Sequence, residues 1–437
     1  MKKKHTFVDL CVIGFALFSM FFGAGNVIFP PYLGMAAGTK WLPGFIGYYF
    51  ADIILALMTL FAMLRKDGME GIVSPIGNIP SKVLWTLDVL CIGPLVAVPR
   101  TAATTYEMSV QPICQILPDD PHNLRYAIIC SVVFFLITWL LTIRESAVVD
   151  IIGKILTPAL VIGLLILIIK GIISPLGPIS PNQMVDDIVA SGVKSGYQTM
   201  DVMTTVLVGT MILRSSEQKG YTTLSAKNKI VTGAGTVAGV LLLIVYCGLT
   251  YLGATVSTMY DLTVSRSALV SSIVYSLMGR AGTILFGVVV ALACLTTAVG
   301  LMSTSARFFN KLFHEKISYP VMLTFLCVFC AVVANVGIEQ LVAFASPILD
   351  LVYPPTLVLV FLAFFKNVPH LAHRLGVICS VLISAVNLYF TTTGGEVPFH
   401  LPLANLGFDW LIPTVVCVVI GIIIGRSREN KKAAPAA

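Results

Sequence analysis

The chain has 437 residues, 57% of them hydrophobic and only 11% charged, with a mean hydropathy of +0.93 and a net charge of +7. Water-soluble domains carry about 25% charged residues, so most of this chain cannot face water and a soluble globular class is excluded. The positive balance does not mark a nucleic-acid binder, because the basic residues are scattered between apolar runs and mark topology instead.

The basic start Met1-Lys2-Lys3-Lys4-His5 leads into the first apolar run at Phe7. A secretory signal peptide, with small residues near Met35-Ala36-Ala37 as a cleavage site, is disfavoured. The run exceeds a ~7–15-residue signal core and further apolar runs follow at once. Neither end carries a lipidation box. The run is interrupted by Phe21-Phe22-Gly23-Ala24-Gly25-Asn26-Val27-Ile28-Phe29-Pro30-Pro31. Backbone groups freed from helical bonding cost several kcal/mol each in hydrocarbon, so irregular backbone survives there only where it lines a cavity or binds something. The glycines alone would suit close helix packing. Asn26 and the Pro30-Pro31 stop argue instead for a discontinuous helix of the kind that builds transporter sites.

About twelve runs are long enough for a ~30 Å hydrocarbon core. They start near Phe7, Trp41, Val83, Leu124, Val148, Lys194, Ile230, Ala281, Tyr319, Glu339, Leu375 and Trp410, and no soluble domain fits between them. With the amino terminus inside, 21 of the 28 Lys and Arg fall on the inner side and 6 on the outer, while Arg100 lies within the third run. The positive-inside rule therefore predicts a multi-pass protein of the cytoplasmic membrane with both termini in the cytoplasm.

Polar residues at membrane depth are functional candidates by default. In the third span Arg100 and Glu107 share a face. Two helical turns, ~10.5 Å, are too long for a direct pair, so each is expected to bond to other helices or through neighbours such as Thr104. Asp52, Asp88, Asp150, Lys154 and Asp350 complete the buried or near-buried set, with Lys154 placed to snorkel to the inner surface. The sixth span carries a second polar, glycine-containing interruption, Ser195-Gly196-Tyr197-Gln198-Thr199-Met200-Asp201. The eighth carries Ala293-Cys294-Leu295-Thr296-Thr297 followed by Gly300 and Thr304, a small polar face that could equally be structural. Cys327 and Cys330 have redox or metal spacing but sit in an apolar helix without His or Asp companions, and read as buried hydrophobes. No metalloprotease, nucleophile-elbow or phosphate-loop motif occurs, so no enzyme is expected.

Spans one and six are five apart and both interrupted. An odd number of spans reverses orientation, so two five-span units would be inverted copies, the LeuT-type architecture. The expected fold is an all-α polytopic membrane domain over 1–437. Its first repeat would occupy about 7–170, its second about 194–365, and two additional C-terminal helices about 375–425.

The run Gly14 to Asn26 with Ile28-Phe29-Pro30-Pro31 closely resembles the bacterial branched-chain amino acid:cation symporter family (BrnQ type). Gly93-Pro94-Leu95, Pro99-Arg100-Thr101-Ala102, Tyr106-Glu107, Gly153 to Pro158, Gly196 to Asp201 and Ala293 to Gly300 match in the same order, although Gln198 stands where the family often has Asn. The resemblance implies import of leucine, isoleucine and valine by sodium symport, with no other cofactor. It implies substrate contacts at Ala24, Gly25, Tyr197, Thr199 and Met200, and a sodium ion at Asn26 and Asp201. A second sodium would lie among the Ser19, Phe22 and Ala293 carbonyls and the Thr296 and Thr297 hydroxyls, oxygen ligands suited to a hard cation. Lys154, Arg100 and Glu107 are candidates for coupling or gating. Proton coupling through Lys154, or another small solute on the same fold, is the alternative. A channel or a membrane-embedded enzyme fits less well, for want of a continuous polar pore or a catalytic pair. Oligomeric state has no signal in the sequence.

Overall fold

The first apolar run forms two helices, α1 (Thr6–Phe21) and α2 (Ala24–Ala37), parted by Phe22 and an extended Gly23 at φ −108°, ψ −171°. This is a computed structural model, and it describes residues 6–117, 119–143, 157–393 and 401–433. Lys154 and the expected start of the fifth span near Val148 lie outside them. Pro30 and Pro31 do not stop the helix as expected but lie inside α2. Each proline removes the donor to the carbonyl four residues back, here Asn26 and Val27. The deficit thus falls in the first turn of α2, beside the break, and the helix runs on to Ala37.

The second span is α3 (Trp41–Tyr49), a π-helical turn (Phe50–Ile54) and α4 (Leu55–Lys66), followed by the short α5 (Met69–Val73). The third is α6 (Asn78–Leu90), α7 (Ala97–Thr105) and α8 (Gln111–Cys114), joined by π-helical turns at Cys91–Leu95 and Tyr106–Val110. Next come α9 (Asn123–Ile143) and α10 (Thr157–Ile173). The sixth span is again broken, into α11 (Ile188–Thr199) and α12 (Asp201–Gln218), by Met200 in the left-handed region at φ +67°. α13 (Leu224–Ala254) is the seventh. α14 (Arg266–Leu312) turns sharply at Gly279, and its second part is the eighth. α15 (Tyr319–Val333), α16 (Ile338–Leu362), α17 (His370–Thr393) and α18 (Leu411–Ala433) complete the set. Twelve passes among the described residues put the start of α1 and the end of α18 on one face, called here the terminal face.

Packing is reciprocal. The seventh span runs along both halves of the broken first, and the second span runs along both halves of the broken sixth. That exchange is what an inverted pair of repeats requires. Small residues carry both contacts, as in membrane helices generally, where close backbone approach replaces the hydrophobic drive. A Cβ on Gly192 would stand 2.1 Å from the Gly44 carbonyl oxygen, one on Gly34 1.8 Å from that of Thr250, and one on Gly253 1.8 Å from that of Pro31. Gly196, within the polar interruption expected in the sixth span, is helical and packs against the second span, where a Cβ would approach the Tyr48 carbonyl oxygen to 2.7 Å. Exposed Ile162, Ile166 and Ile169 on α10, and Val415, Val419 and Ile423 on α18, form an apolar exterior suited to lipid. Cys327 and Cys330 are buried free thiols.

Gly34→Val or Gly253→Val should therefore force α2 and α13 apart and lower the stability of the detergent-solubilised protein by about 1–3 kcal/mol. Gly163→Ala, where a Cβ meets nothing within 4 Å, should not destabilise it. Equal melting of all three variants in a thermal-shift assay would contradict the close packing.

Candidate functional site

The two breaks face each other through side chains. Asn26, in the first turn of α2, turns its Oδ1 back to accept the Gly23 N–H at 3.4 Å. Its Nδ2 donates to Asp201 Oδ2 at 3.0 Å and to Asp52 Oδ2 at 3.3 Å. Asp201 opens α12 immediately after the Met200 kink, and Thr199 closes α11 just before it. The Thr199 hydroxyl donates to Asp52 Oδ1 at 2.7 Å. Asp52 therefore ties the first and sixth spans to the second, and it does so from a π-helical turn, a deviation frequent at functional positions. Asn26, Asp52 and Asp201 are all at most 3% exposed.

Arg100 enters this cluster from α7. It is buried, and its Nη1 and Nη2 donate to the Gln198 and Thr199 carbonyls at 2.7 and 3.3 Å. Those carbonyls end α11, the negative pole of a half-helix, while Ala24 and Gly25 begin α2, a positive pole. Gly25 is required beside the guanidinium, since a Cβ there would lie 2.8 Å from Arg100 Nη2. The Phe29 ring flanks the same cation at 5.9 Å. An aromatic wall closes the cluster: Phe22 stacks on Phe18 and Tyr246, Tyr48 meets Tyr246 edge-on, and Tyr197 stacks on Tyr353 at 4.5 Å.

The other expected residues are placed less uniformly. Thr297 reaches the first break, its Cγ2 3.7 Å from where a Gly23 Cβ would be. Both Thr296 and Thr297 donate to the Ala293 carbonyl of their own helix, at 2.8 and 3.1 Å. Ser19 sits half-buried in the last turn of α1, and Phe22 is buried at the break itself. Glu107 is not in the cluster. It accepts from the Ser267 hydroxyl and from the Ile338 N–H, at the start of α16, and lines a separate cleft of about 910 Å³. Lys154 lies outside the described residues. The central residue missing from the expected site set is Asp52; a carboxylate within an apolar run was its only signal.

A cleft of about 990 Å³ lined by Phe29, Lys194, Arg266 and Glu339 reaches Gln198. At its rim Arg266 pairs with Glu339 and lies over the rings of Tyr32 and Phe29, at 4.6 and 5.6 Å. On the terminal face Asp9 in α1 accepts from Lys219 Nζ at 3.1 Å and from the Tyr221 hydroxyl at 3.0 Å, closing α1 against the end of α12.

A family model described as "Branched-chain amino acid transport protein" matches residues 6–428. The branched-chain amino acid permease BraB of Bacillus subtilis is 32% identical over 445 residues, covering 98% of this chain and 99% of the relative. Among solved structures, Mhp1, a nucleobase-cation-symport-1 transporter in a closed conformation with bromovinylhydantoin bound, aligns with a TM-score of 0.57 at 12% identity, covering 98% of this chain and 93% of that one. MhsT in complex with L-phenylalanine aligns with a TM-score of 0.57 at 15% identity, over 94% and 98% of the two chains. These neighbours share the LeuT-type fold, and the matching relative is a permease, not an enzyme.

Thr199→Val removes the hydroxyl that satisfies Asp52 Oδ1 and should cost about 1–3 kcal/mol of stability. Thr296→Val, which loses only a bond to its own helix, should melt close to wild type. Indistinguishable melting curves for the two variants would contradict the placement of Asp52 as the tie between spans.

Proposed function

The chain belongs to the family of branched-chain amino acid transport proteins, and from that premise we propose that it is a secondary active symporter importing leucine, isoleucine and valine, coupled to sodium by alternating access. It would lie in the bacterial cytoplasmic membrane with both termini in the cytoplasm, an orientation that places 21 of the 28 Lys and Arg on the inner side and so suits the positive-inside rule. The observation that carries the cation coupling is charge balance in the central cluster. Two buried carboxylates, Asp52 and Asp201, accompany the single guanidinium of Arg100, so with both ionised one net negative charge would be left buried. Uncompensated buried charge is costly, and a zwitterionic amino acid adds no net charge. One monovalent cation restores neutrality. Asp52 and Asp201 offer carboxylate oxygens of the kind a hard cation takes, and Asn26, whose Nδ2 faces them, would join them by turning its Oδ1 from Gly23.

In this reading the substrate carboxylate lies at the start of α2, against Ala24 and Gly25, and the apolar side chain packs near Tyr197, Thr199 and Met200. A second sodium would sit where Thr297 meets the Gly23 break, with the Ser19, Phe22 and Ala293 carbonyls and Thr296 as further ligands. A proton could also supply the missing charge, which keeps proton coupling through Lys154 as the competing outcome.

Uptake of radiolabelled leucine into proteoliposomes tests this. It should rise steeply with external sodium at fixed pH, and isoleucine and valine should compete while lysine and glutamate hardly do. Thr297→Ala should raise the sodium concentration needed. Proton-driven uptake in sodium-free medium that vanishes in Lys154→Ala would overturn sodium coupling, and strong inhibition by lysine would overturn the substrate class.

Asn26→Ala and Asp201→Ala should each abolish coupled uptake with membrane insertion intact. Near wild-type uptake with unchanged sodium dependence in either would make that residue structural.

A further inference from the structure

A zwitterion needs a positive pole for its carboxylate and a negative pole for its ammonium, and the two broken helices offer one of each at α2 and α11. The negative pole is already taken. Arg100 donates two hydrogen bonds to the Gln198 and Thr199 carbonyls, the acceptors that an incoming ammonium would use. Two cations cannot share those oxygens in a medium of low dielectric. The same guanidinium lies against the positive pole, its Nη2 2.8 Å from where a Gly25 Cβ would stand. Among the described residues no carboxylate lies within salt-bridge distance of Arg100, and its Nε is buried with no hydrogen-bond partner. Nearby polar atoms, Thr104 Oγ1 one turn along α7 and Gln198 Oε1, are likewise buried and unpartnered. A buried arginine with an idle donor beside a helix amino terminus is equipped to receive an anion.

Resting on the amino-acid reading above, we propose that Arg100 recognises the substrate carboxylate, and that in the empty site it stands in for the substrate's own ammonium. The incoming ammonium takes over the Gln198 and Thr199 carbonyls, and the displaced guanidinium turns its fork onto the carboxylate at α2. Only a molecule with both groups completes the exchange. An amine alone offers the guanidinium no counter-ion, and a carboxylate alone leaves the α11 carbonyls without a donor. Arg100 thereby selects α-amino acids over their amine and acid analogues, independently of the apolar pocket that reads the side chain.

The test uses the purified full chain and three ligands: leucine, 3-methylbutylamine (leucine without its carboxylate) and 4-methylpentanoate (leucine without its ammonium). Calorimetric binding should find leucine bound by the wild type and neither analogue. Arg100→Gln should weaken leucine ~10- to 100-fold, as expected for a lost charge-assisted pair. It should also bind 3-methylbutylamine more tightly than the wild type does, because the α11 carbonyls are uncovered and a repelling charge is gone. A folded Arg100→Gln protein that keeps leucine binding, or loses it with no gain of amine, overturns the proposal. If that variant does not fold, Arg100→Lys decides: the point charge should keep the amine excluded but weaken leucine, and unchanged leucine affinity would contradict recognition by the fork. Failure of the wild type to bind leucine would overturn the substrate reading alone, since the gain of amine binding is measured separately.

Discussion

Two interruptions of helical backbone meet, and the central polar cluster answers them. At Phe22–Gly23 the α2 N–H groups lose their partners, and at Met200 the α11 carbonyls lose theirs. In hydrocarbon each such group costs several kcal/mol if left alone. Asn26 returns one acceptor to Gly23, and Arg100 covers two of the orphaned carbonyls. Asp52 and Asp201 then hold Asn26 and Thr199 in place. The poles at α2 and α11 remain available to a ligand because their satisfaction comes from side chains, which can move, and not from continuous helix, which cannot.

Glycines make this cluster possible at long range. Gly34 and Gly253 bring the first and seventh spans into backbone contact, and Gly44 and Gly192 do the same for the second and sixth. The broken spans are therefore each held along both halves by an unbroken one. Closure differs at the two ends of the molecule. The Asp9, Lys219 and Tyr221 cluster joins α1 to the end of α12 at the terminal face, whereas Arg266 and Glu339 pair in the lining of an open cleft. In the proposed cycle these two sets of polar contacts would be made and broken in turn.

Much of this was legible from one-dimensional patterns. A glycine pair beside Asn26, in an apolar run that should have been unbroken, located the first break. The glycine, polar residues and Asp201 of the sixth span located the second. The five-span offset between them implied the inverted repeat. What eluded the sequence depended on distance or register. Asp52 lies 26 residues from Asn26 and 147 from Thr199, and nothing local distinguishes it from Asp88 or Asp350. Pro30 and Pro31 looked like a stop because their position relative to the helix start was unknown; in the second turn they cost the helix only two carbonyl partners. Gly196 belonged to the sixth span's polar interruption, yet it serves packing, and Met200 takes the left-handed turn. Glu107 shares a helix face with Arg100, but two turns carry it to a different cleft, where Ser267 and Ile338 hold it.

The central claim is that the two backbone breaks and the carboxylate pair form one ligand site. A structure of the protein with leucine and sodium bound tests it most directly. The account predicts the leucine carboxylate at the amino terminus of α2 beside Gly25, and a cation coordinated by oxygens of Asn26, Asp52 and Asp201. Leucine seated instead in the cleft beside Glu107, with Asn26 still bonded to both carboxylates and no cation between them, would contradict it.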